Sequence, residues 1–385
     1  MKIAYIVGSY PKPSEQFIAR EIEILREMGA EIFVYPIDRA GGPACPFCVL
    51  ADIIILAFRP RTWRAVARFP FGALATLSPK AWREFAGGVR IASADAADMR
   101  AKRIEHVHAC FATKPAAVGM MAAAMLRLPF TISAHARDVF ADGVALGHKV
   151  AAAERVALCN QAALDHLASK IPDRLHDRLA LVRHGLDLSR YEFTPPGKSH
   201  SPARVLAAGR FIEKKGFRCL VEAMARLPDC ACEIAGAGPL EEALREQIKE
   251  RGLEDRVSLP GWLPHDQLRT KMRAADVLVA PYVVARDGDR DGVPNILIEA
   301  AALGLPIVAC NSGGIGELVI NGETGRLVPP NEPELIAGAI KSVLATPDTT
   351  REFASNARKK VANEYDVREN VRQLLAAIAG GEQGR

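Results

Sequence analysis

The stretch Asp287–Glu317, DGDRDGVPNILIEAAALGLPIVACNSGGIGE, sets an acidic loop, a Gly-Val-Pro turn, an apolar run and a Gly-Gly turn within about thirty residues. The run Asn295–Leu303 (NILIEAAAL) predicts a helix with Pro294 at its first position, where a missing N–H costs nothing. Gly304 stops this helix and Pro306 cannot continue it. Ile307, Val308 and Ala309 follow as a short apolar strand, and Ser312-Gly313-Gly314 is expected to open a second helix toward Glu317. Two helix N-termini would then flank one strand, each with unpaired N–H groups and the positive end of a dipole. That arrangement suits an anion such as a diphosphate. Glu299, one turn inside the first helix, is placed to accept hydrogen bonds from sugar hydroxyls.

Upstream, the same strand–turn–helix grammar repeats. Asp276–Pro281 (DVLVAP) is the strand that feeds the acidic loop. Asp287-Gly-Asp289 offers two carboxylates that a divalent cation would accept, but the pattern lies within a loop already expected to be positive, so no metal is assigned. Arg204–Ala208 is a strand, followed by Gly209-Arg210-Phe-Ile-Glu-Lys-Lys215-Gly216 and the helix Phe217–Arg226. Arg210 supplies a planar fork and Lys215 a point charge, a pair suited to clamping a diphosphate. Gly236-Ala-Gly-Pro239 is a tight turn before the helix Leu240–Arg251, and Gly261-Trp262 follows the strand Val257–Leu259.

The first half begins with the strand Lys2–Val7, a loop Gly8–Pro13, a helix N-capped by Ser14 with Phe17, Ile18, Ile22 and Leu25 on one face, and the strand Glu31–Pro36. Strand–helix–strand at this length is a βαβ unit, so the sheet is expected to be parallel and doubly wound. No G-x-G-x-x-G accompanies it. His106 and His108 share one face of the strand Ile104–Ala109 and lack a third ligand at metal spacing, so they are expected as a strand-end pair near the ligand edge. The strand Phe130–Ser133 leads into Ala134-His135-Ala136-Arg137-Asp138, which places His135 at a carboxyl edge, where ligands bind in such sheets. Thr194–Pro202 (TPPGKSHSP) reads as a linker crossed by few contacts. The helical tail Pro333–Ala379 closes the chain.

Composition is that of a globular protein, with 49% hydrophobic and 25% charged residues over 385 positions, enough for two domains. No run of eighteen apolar residues and no leader appears, so a cytoplasmic location is expected. Eight cysteines are scattered, and Cys45-Pro-Phe-Cys48 has no companion pair at zinc spacing, so two free thiols are expected there. Residues 1–190 carry 25 Lys and Arg against 18 Asp and Glu, and the rest 25 against 27. In residues 58–90 basic side chains alternate with Phe58, Trp63, Phe69, Phe71, Trp82 and Phe85. This texture suits peripheral docking on an anionic membrane or, alternatively, an amphipathic insert with its aromatics in the core. No nucleic-acid module surrounds it.

An acidic residue and Glu eight positions apart around Gly-x-Pro, followed by Ala-x-Gly-x-Pro-x-Val and Gly-Gly-x-x-Glu, resembles the donor-site signature of retaining glycosyltransferase family 4. The segment Asp287–Pro294 resembles its colanic-acid and exopolysaccharide branch, with Asp291 where that pattern has Glu. The resemblance implies an α/β GT-B architecture, two doubly wound Rossmann-like domains facing across a cleft. Its parts would be an acceptor-side domain 1–193, a linker 194–202, a nucleotide-sugar domain 203–363 and a C-terminal helix 364–385 crossing back to the first domain. It implies retaining transfer of a hexose from a nucleoside-diphosphate sugar to a saccharide acceptor, lipid-linked by the evidence of the basic stretch, without metal or other cofactor. The roles carried over are these: His135 and Asp291 at the reacting sugar; Arg210, Lys215, Gly292, Val293, Gly313 and Gly314 on the diphosphate; Asn295 and Glu299 with Asp291 on sugar and ribose; Gly261 and Trp262 beside the base; Ser14, Glu15 and Asp138 on the acceptor side. Two other readings stay open: another enzyme of this fold, such as a phosphorylase or nucleotide-sugar epimerase, and a non-catalytic sugar-nucleotide-binding scaffold.

Overall fold

The structure, a computed structural model, describes residues 1–11, 15–39, 78–197 and 199–380. Ser14, Cys45, Cys48 and the 58–77 part of the basic stretch lie outside these residues.

The chain divides into two compact units, Met1–His184 with Val367–Arg385, and Gly185–Asp366. In the first, β1 (Lys2–Val7), β2 (Glu31–Pro36), β3 (His106–Cys110), β4 (Phe130–Ala134), β5 (Arg155–Leu158) and β6 (Leu179–Leu181) form a parallel sheet in the order β2-β1-β3-β4-β5-β6. In the second, β7 (Ala203–Ala208), β8 (Cys230–Ala235), β9 (Val257–Ser258), β10 (Val277–Ala280), β11 (Ile307–Cys310) and β12 (Arg326–Val328) pair in the order β12-β11-β10-β7-β8-β9, again all parallel. The order reverses direction between β1 and β3 in one sheet and between β7 and β10 in the other. Loops leaving the carboxyl ends of neighbouring strands diverge at such a reversal and leave a crevice for a ligand.

Sequence chemistry accounts for the helices that cover these sheets. Pro79 opens the helix Pro79–Ala101, with the Ser78 hydroxyl accepting from the Ala81 N–H at 3.3 Å. Ala81, Phe85, Gly88, Ala92 and Met99 are its buried residues. A Cβ on Gly88 would lie 3.1 Å from the Ala117 carbonyl, so the glycine allows close packing on the helix Lys114–Leu126. Phe85 therefore belongs to the core, as the amphipathic-insert reading expects, whereas Trp82 is 46% exposed. The closing helix Val367–Ile378 buries Val367, Val371, Leu374 and Ile378 at spacings of three and four, in one cluster with Ile18, Ile22 and Leu25 of the helix Gln16–Glu27.

The division falls earlier than the Pro-rich linker because Tyr191, only 3% exposed, already packs in the second core. Nor is the linker poor in contacts. The Thr194 N–H donates to the Leu303 carbonyl at 3.0 Å, and the His200 ring lies 2.9 Å from an Asp276 oxygen. Polar groups at both of its ends find partners on the second unit.

His106 and His108 depart from the expected strand-end pair. Both are buried within β3, 1% and 0% exposed, and one hydroxyl, Thr131 Oγ1, lies 2.8 Å from His106 Nε2 and 2.8 Å from His108 Nδ1. His108 Nε2 is 3.1 Å from Ser133 Oγ. Facing β4 hydroxyls satisfy the rings, so the polar face of β3 is internal. Burial pushes His106 down to about 4, and burial followed by the charges of His106 and His135 pushes His108 down to about 3. The unfolded chain takes up these protons near pH 6.5 and the folded chain does not, so stability is complete above 6.5 and falls as pH drops toward 4. Each ring is expected to add about 1.4 kcal/mol per pH unit to that slope. Denaturant unfolding between pH 7 and 5 should show the slope reduced by one proton in His108→Gln.

Candidate functional site

At the reversal between β7 and β10, two consecutive lysines meet two aspartates. Lys214 is 7% exposed, and its Nζ lies 3.1 Å from Asp289 Oδ1 and 3.2 Å from Asp291 Oδ1. Lys215 Nζ lies 2.8 Å from Asp291 Oδ2 and 3.9 Å from the centroid of the Tyr282 ring. Tyr282, just past β10, donates its hydroxyl to the Ala208 carbonyl at 3.2 Å and so ties the ends of β7 and β10 together. Burial works against the Lys215 ammonium, yet Tyr282 and Asp291 outweigh it and raise its pKa. Burial likewise works against the Asp291 carboxylate, and Lys215 and Lys214 overcome it and lower its pKa. The cluster is therefore ionised on both sides at neutral pH.

Two glycines let these loops approach. Gly216 has φ +62°, and a Cβ there would sit 1.9 Å from the Pro281 carbonyl oxygen. Gly313 has φ +60°, and its Cβ would sit 1.9 Å from the Asp291 carbonyl oxygen. A side chain at either position would clash with backbone and strain the turn. Arg210, beyond β7, is exposed and makes no ion pair among the described residues.

The helix Asn295–Leu303 forms as expected and ends at Gly304 with φ +85°. Pro294, however, stands at its N-cap rather than at its first turn; its carbonyl accepts from Leu297 N–H at 2.9 Å, so the chain enters the helix one residue later. The second helix is absent. Ile315–Glu317 is a single 3-10 turn, and the Gly314 N–H is spent on the Asp291 carbonyl at 3.2 Å. The left-handed Gly313 turns the chain back onto the Asp291 loop instead of starting an α-helix. The second dipole and the Gly314 donor expected for a diphosphate are thus not available here. Gly292 lies in the same loop, Val293 is 9% exposed within the core, and Asn295 is exposed at the first helical position.

Glu299 is 9% exposed, with Oε1 3.2 Å from His265 Nε2, which is itself 3.3 Å from the Tyr191 hydroxyl. The hydrogen bond that His265 donates to Glu299 raises the His265 pKa against its burial. Gly261 (φ +83°) precedes Trp262, whose ring is 71% exposed and open to stacking. Asp287 and Asp289 are turned to local work: Asp287 Oδ1 accepts from the Asp289 N–H at 2.9 Å, and Asp289 pairs with Lys214. Among the described residues no group of three or more His, Cys, Asp or Glu is placed to hold a metal.

The first unit has its own cluster at the β1/β3 reversal. His135 caps the short helix Ala136–Phe140 beyond β4 and stacks on His184 with centroids 4.9 Å apart and planes 13° apart. Phe17 lies 5.3 Å and Phe111 4.5 Å from the His135 ring. Burial, then the His135 charge, pushes His184 down to about 3. Asp138, expected on the acceptor side, is 4% exposed, and its Oδ2 accepts from Ala112 N–H at 2.8 Å and His135 N–H at 3.1 Å. It braces the loop that carries His135. Glu15 is half-buried at the N-cap of the helix Gln16–Glu27.

Sequence reasoning gave no site role to Lys214 or His265, and noted His184 and Tyr191 only as part of the segment just ahead of the linker. Lys214 was readable as the twin of Lys215, and His265 as the start of a helix after Pro264 with Asp266 in its first turn. As a test of the buried pair, Lys214→Ala leaves Asp289 buried without its counter-ion and is expected to cost about 3–5 kcal/mol. Urea unfolding followed by tryptophan fluorescence would measure it.

Residues 191–360 match the family model described as Glycosyl transferases group 1. The chain is 32% identical over 207 residues to the putative colanic acid biosynthesis glycosyltransferase WcaL of Salmonella typhimurium, covering 52% of this chain and 51% of that protein. It is 31% identical over 206 residues to the amylovoran biosynthesis glycosyltransferase AmsK of Erwinia amylovora, covering 52% and 51%. The chain thus spans about half the length of the curated relatives it matches. Among solved structures, Anabaena Alr3699/HepE in complex with UDP superposes with a TM-score of 0.70 at 20% identity, over 99% of this chain and 100% of that one. That likeness concerns the fold, which is of the GT-B class, two Rossmann-like units in one chain. The second unit carries a glycosyltransferase group 1 domain.

Proposed function

We propose that the protein is a retaining glycosyltransferase that moves a hexose from a nucleoside-diphosphate sugar to a hydroxyl of a saccharide acceptor in exopolysaccharide or cell-envelope glycan synthesis. The observation that carries this reading is Lys215, kept charged beside Asp291 at the β7/β10 reversal, with the exposed Arg210 on the same loop. The leaving diphosphate gains negative charge as the bond to the anomeric carbon stretches. Fixed cations aimed at that charge lower the barrier because they need no reorganisation during the step. Lys215 and Arg210 fill this role. A diphosphate arriving on Lys215 releases Asp291 Oδ2 from its ion pair, and the freed carboxylate then accepts from sugar hydroxyls. Glu299 takes the ribose and Trp262 stacks on the base. The positive charge is supplied by side chains, which supports a metal-independent reaction. The printed names of WcaL and AmsK, which concern colanic acid and amylovoran, support the exopolysaccharide setting.

Thermal unfolding with UDP, GDP, ADP and their sugars tests the donor site. Ligand at a hundred times its dissociation constant adds about 2.7 kcal/mol, so one base should raise the midpoint, equally with and without EDTA. A midpoint that no nucleotide moves would refute the donor site, and a shift lost in EDTA would refute metal independence. Lys215→Ala is expected to lower turnover about thirtyfold to a thousandfold while the fold persists, the loss of about 2–4 kcal/mol of transition-state stabilisation.

We assign the helix Pro79–Ala101 a further role, peripheral contact with an anionic membrane that carries a lipid-linked acceptor. Lys80, Trp82 and Arg83 are exposed together at its start. Among the described residues no helix is long and apolar enough to cross a membrane. Trp82→Ala with Arg83→Glu should reduce co-sedimentation with phosphatidylglycerol vesicles at least about threefold, since one basic residue near such a surface contributes about 1 kcal/mol. Equal binding by both proteins would remove the assignment.

A further inference from the structure

We propose that His265 is a positioning residue for the donor nucleotide: it fixes the Glu299 carboxylate that receives the ribose hydroxyls, and so sets the preference for ribonucleotides over 2′-deoxyribonucleotides. This inference rests on the donor-site reading above.

Three separate segments of the second unit converge here. Glu299 projects from the second turn of the helix Asn295–Leu303, His265 is the first residue of the helix His265–Ala274, and Tyr191 precedes the linker. His265 Nε2 stands 3.2 Å from Glu299 Oε1 and 3.3 Å from the Tyr191 hydroxyl. A single ring nitrogen carries at most one proton, and the anionic carboxylate is the stronger acceptor. The Tyr191 hydroxyl then lies beside that bond. Tyr191 cannot easily move away: it is 3% exposed, and the Arg269 guanidinium lies 5.7 Å from its ring centroid. The charged or titratable groups around His265 are Glu299, Arg269, Asp266 and Tyr191. Of these Glu299 dominates, and its hydrogen bond favours the imidazolium.

A carboxylate at the end of three rotatable bonds holds a diol poorly unless something fixes its plane. Two carboxylate oxygens offer about four acceptor positions. His265 occupies one, which leaves the others for the 2′ and 3′ hydroxyls while fixing the orientation of the group. Its own side chain is 43% exposed, so it acts from the solvent side of Glu299, three residues after the exposed Trp262.

Isothermal titration calorimetry tests this with UDP, GDP and ADP, the 2′-deoxy form of whichever binds, and inorganic pyrophosphate, on wild type, His265→Ala and His265→Gln. The wild type should prefer the ribonucleotide at least about tenfold, the value of one hydrogen bond to a charged group. His265→Ala should shrink that preference to within about twofold with pyrophosphate affinity unchanged, and His265→Gln, which keeps an N–H donor, should restore it. A His265→Ala protein that keeps the wild-type ratio overturns the inference. So does one that loses affinity equally for nucleotide, deoxynucleotide and pyrophosphate, because that pattern is general structural damage. Wild type that binds ribo and deoxy forms alike overturns this inference alone. Wild type that binds no nucleoside diphosphate overturns the donor-site reading and this inference with it.

Discussion

Two ammonium groups are held largely out of water by two aspartates, and the approach of the loops after β7 and β10 follows from that arrangement. A buried charge without a partner costs several kcal/mol, so Lys214 and Lys215 require Asp289 and Asp291 nearby. The partners lie 75 and 76 residues apart in sequence, and their pairing ties the loop after β7 to the loop after β10. Gly216 and Gly313 are the steric condition of the same contact, since each lets backbone come within reach of a carbonyl that a side chain would strike. Lys214, with both aspartates on it, is the structural member. Lys215 is half-buried and meets one carboxylate and one aromatic face.

Much of this was legible along the chain because it is local. Apolar runs separated by Gly and Pro predict both parallel sheets, and the helix Asn295–Leu303 falls on the residues its pattern gives, stopped by a left-handed Gly304. Lys215, Asp291 and Glu299 were readable because their residue types and spacing are distinctive. What was not legible depends on partners far away in sequence. Ser312-Gly313-Gly314 looks like a helix start, but Gly313 serves a turn against the Asp291 carbonyl and the helix never forms. His106 and His108 look like a ligand-edge pair until Thr131 and Ser133, on the neighbouring strand, satisfy them inside the sheet. Tyr191 lies 74 residues from His265, and nothing in either local sequence announces that they meet.

The two units differ in how they prepare their crevices. In the first, rings meet rings: His135 stacks on His184, Phe17 and Phe111 line them, and burial keeps His184 neutral. Flat, weakly charged surfaces of this kind suit contacts with sugar faces, which combine apolar C–H patches with hydroxyls. The second unit instead concentrates ionised groups, with Lys215 and Asp291 each held in its charged form by the other.

Net charge runs the opposite way. Residues 1–190 carry an excess of seven positive charges, 25 against 18, and residues 191–385 an excess of two negative ones, 25 against 27. Bulk charge alone would direct an anion to residues 1–190. It counts exposed side chains that water and salt screen over roughly 10 Å, whereas the field at a single point depends on the few charges that desolvation strengthens. Lys215 belongs to the acidic half, where Asp291 is its carboxylate partner and the exposed Arg210 lies on the same loop. The excess in the first half is of a different physical kind: carried in part by exposed positions such as Lys80 and Arg83, it sets up a field over a surface and not at a point.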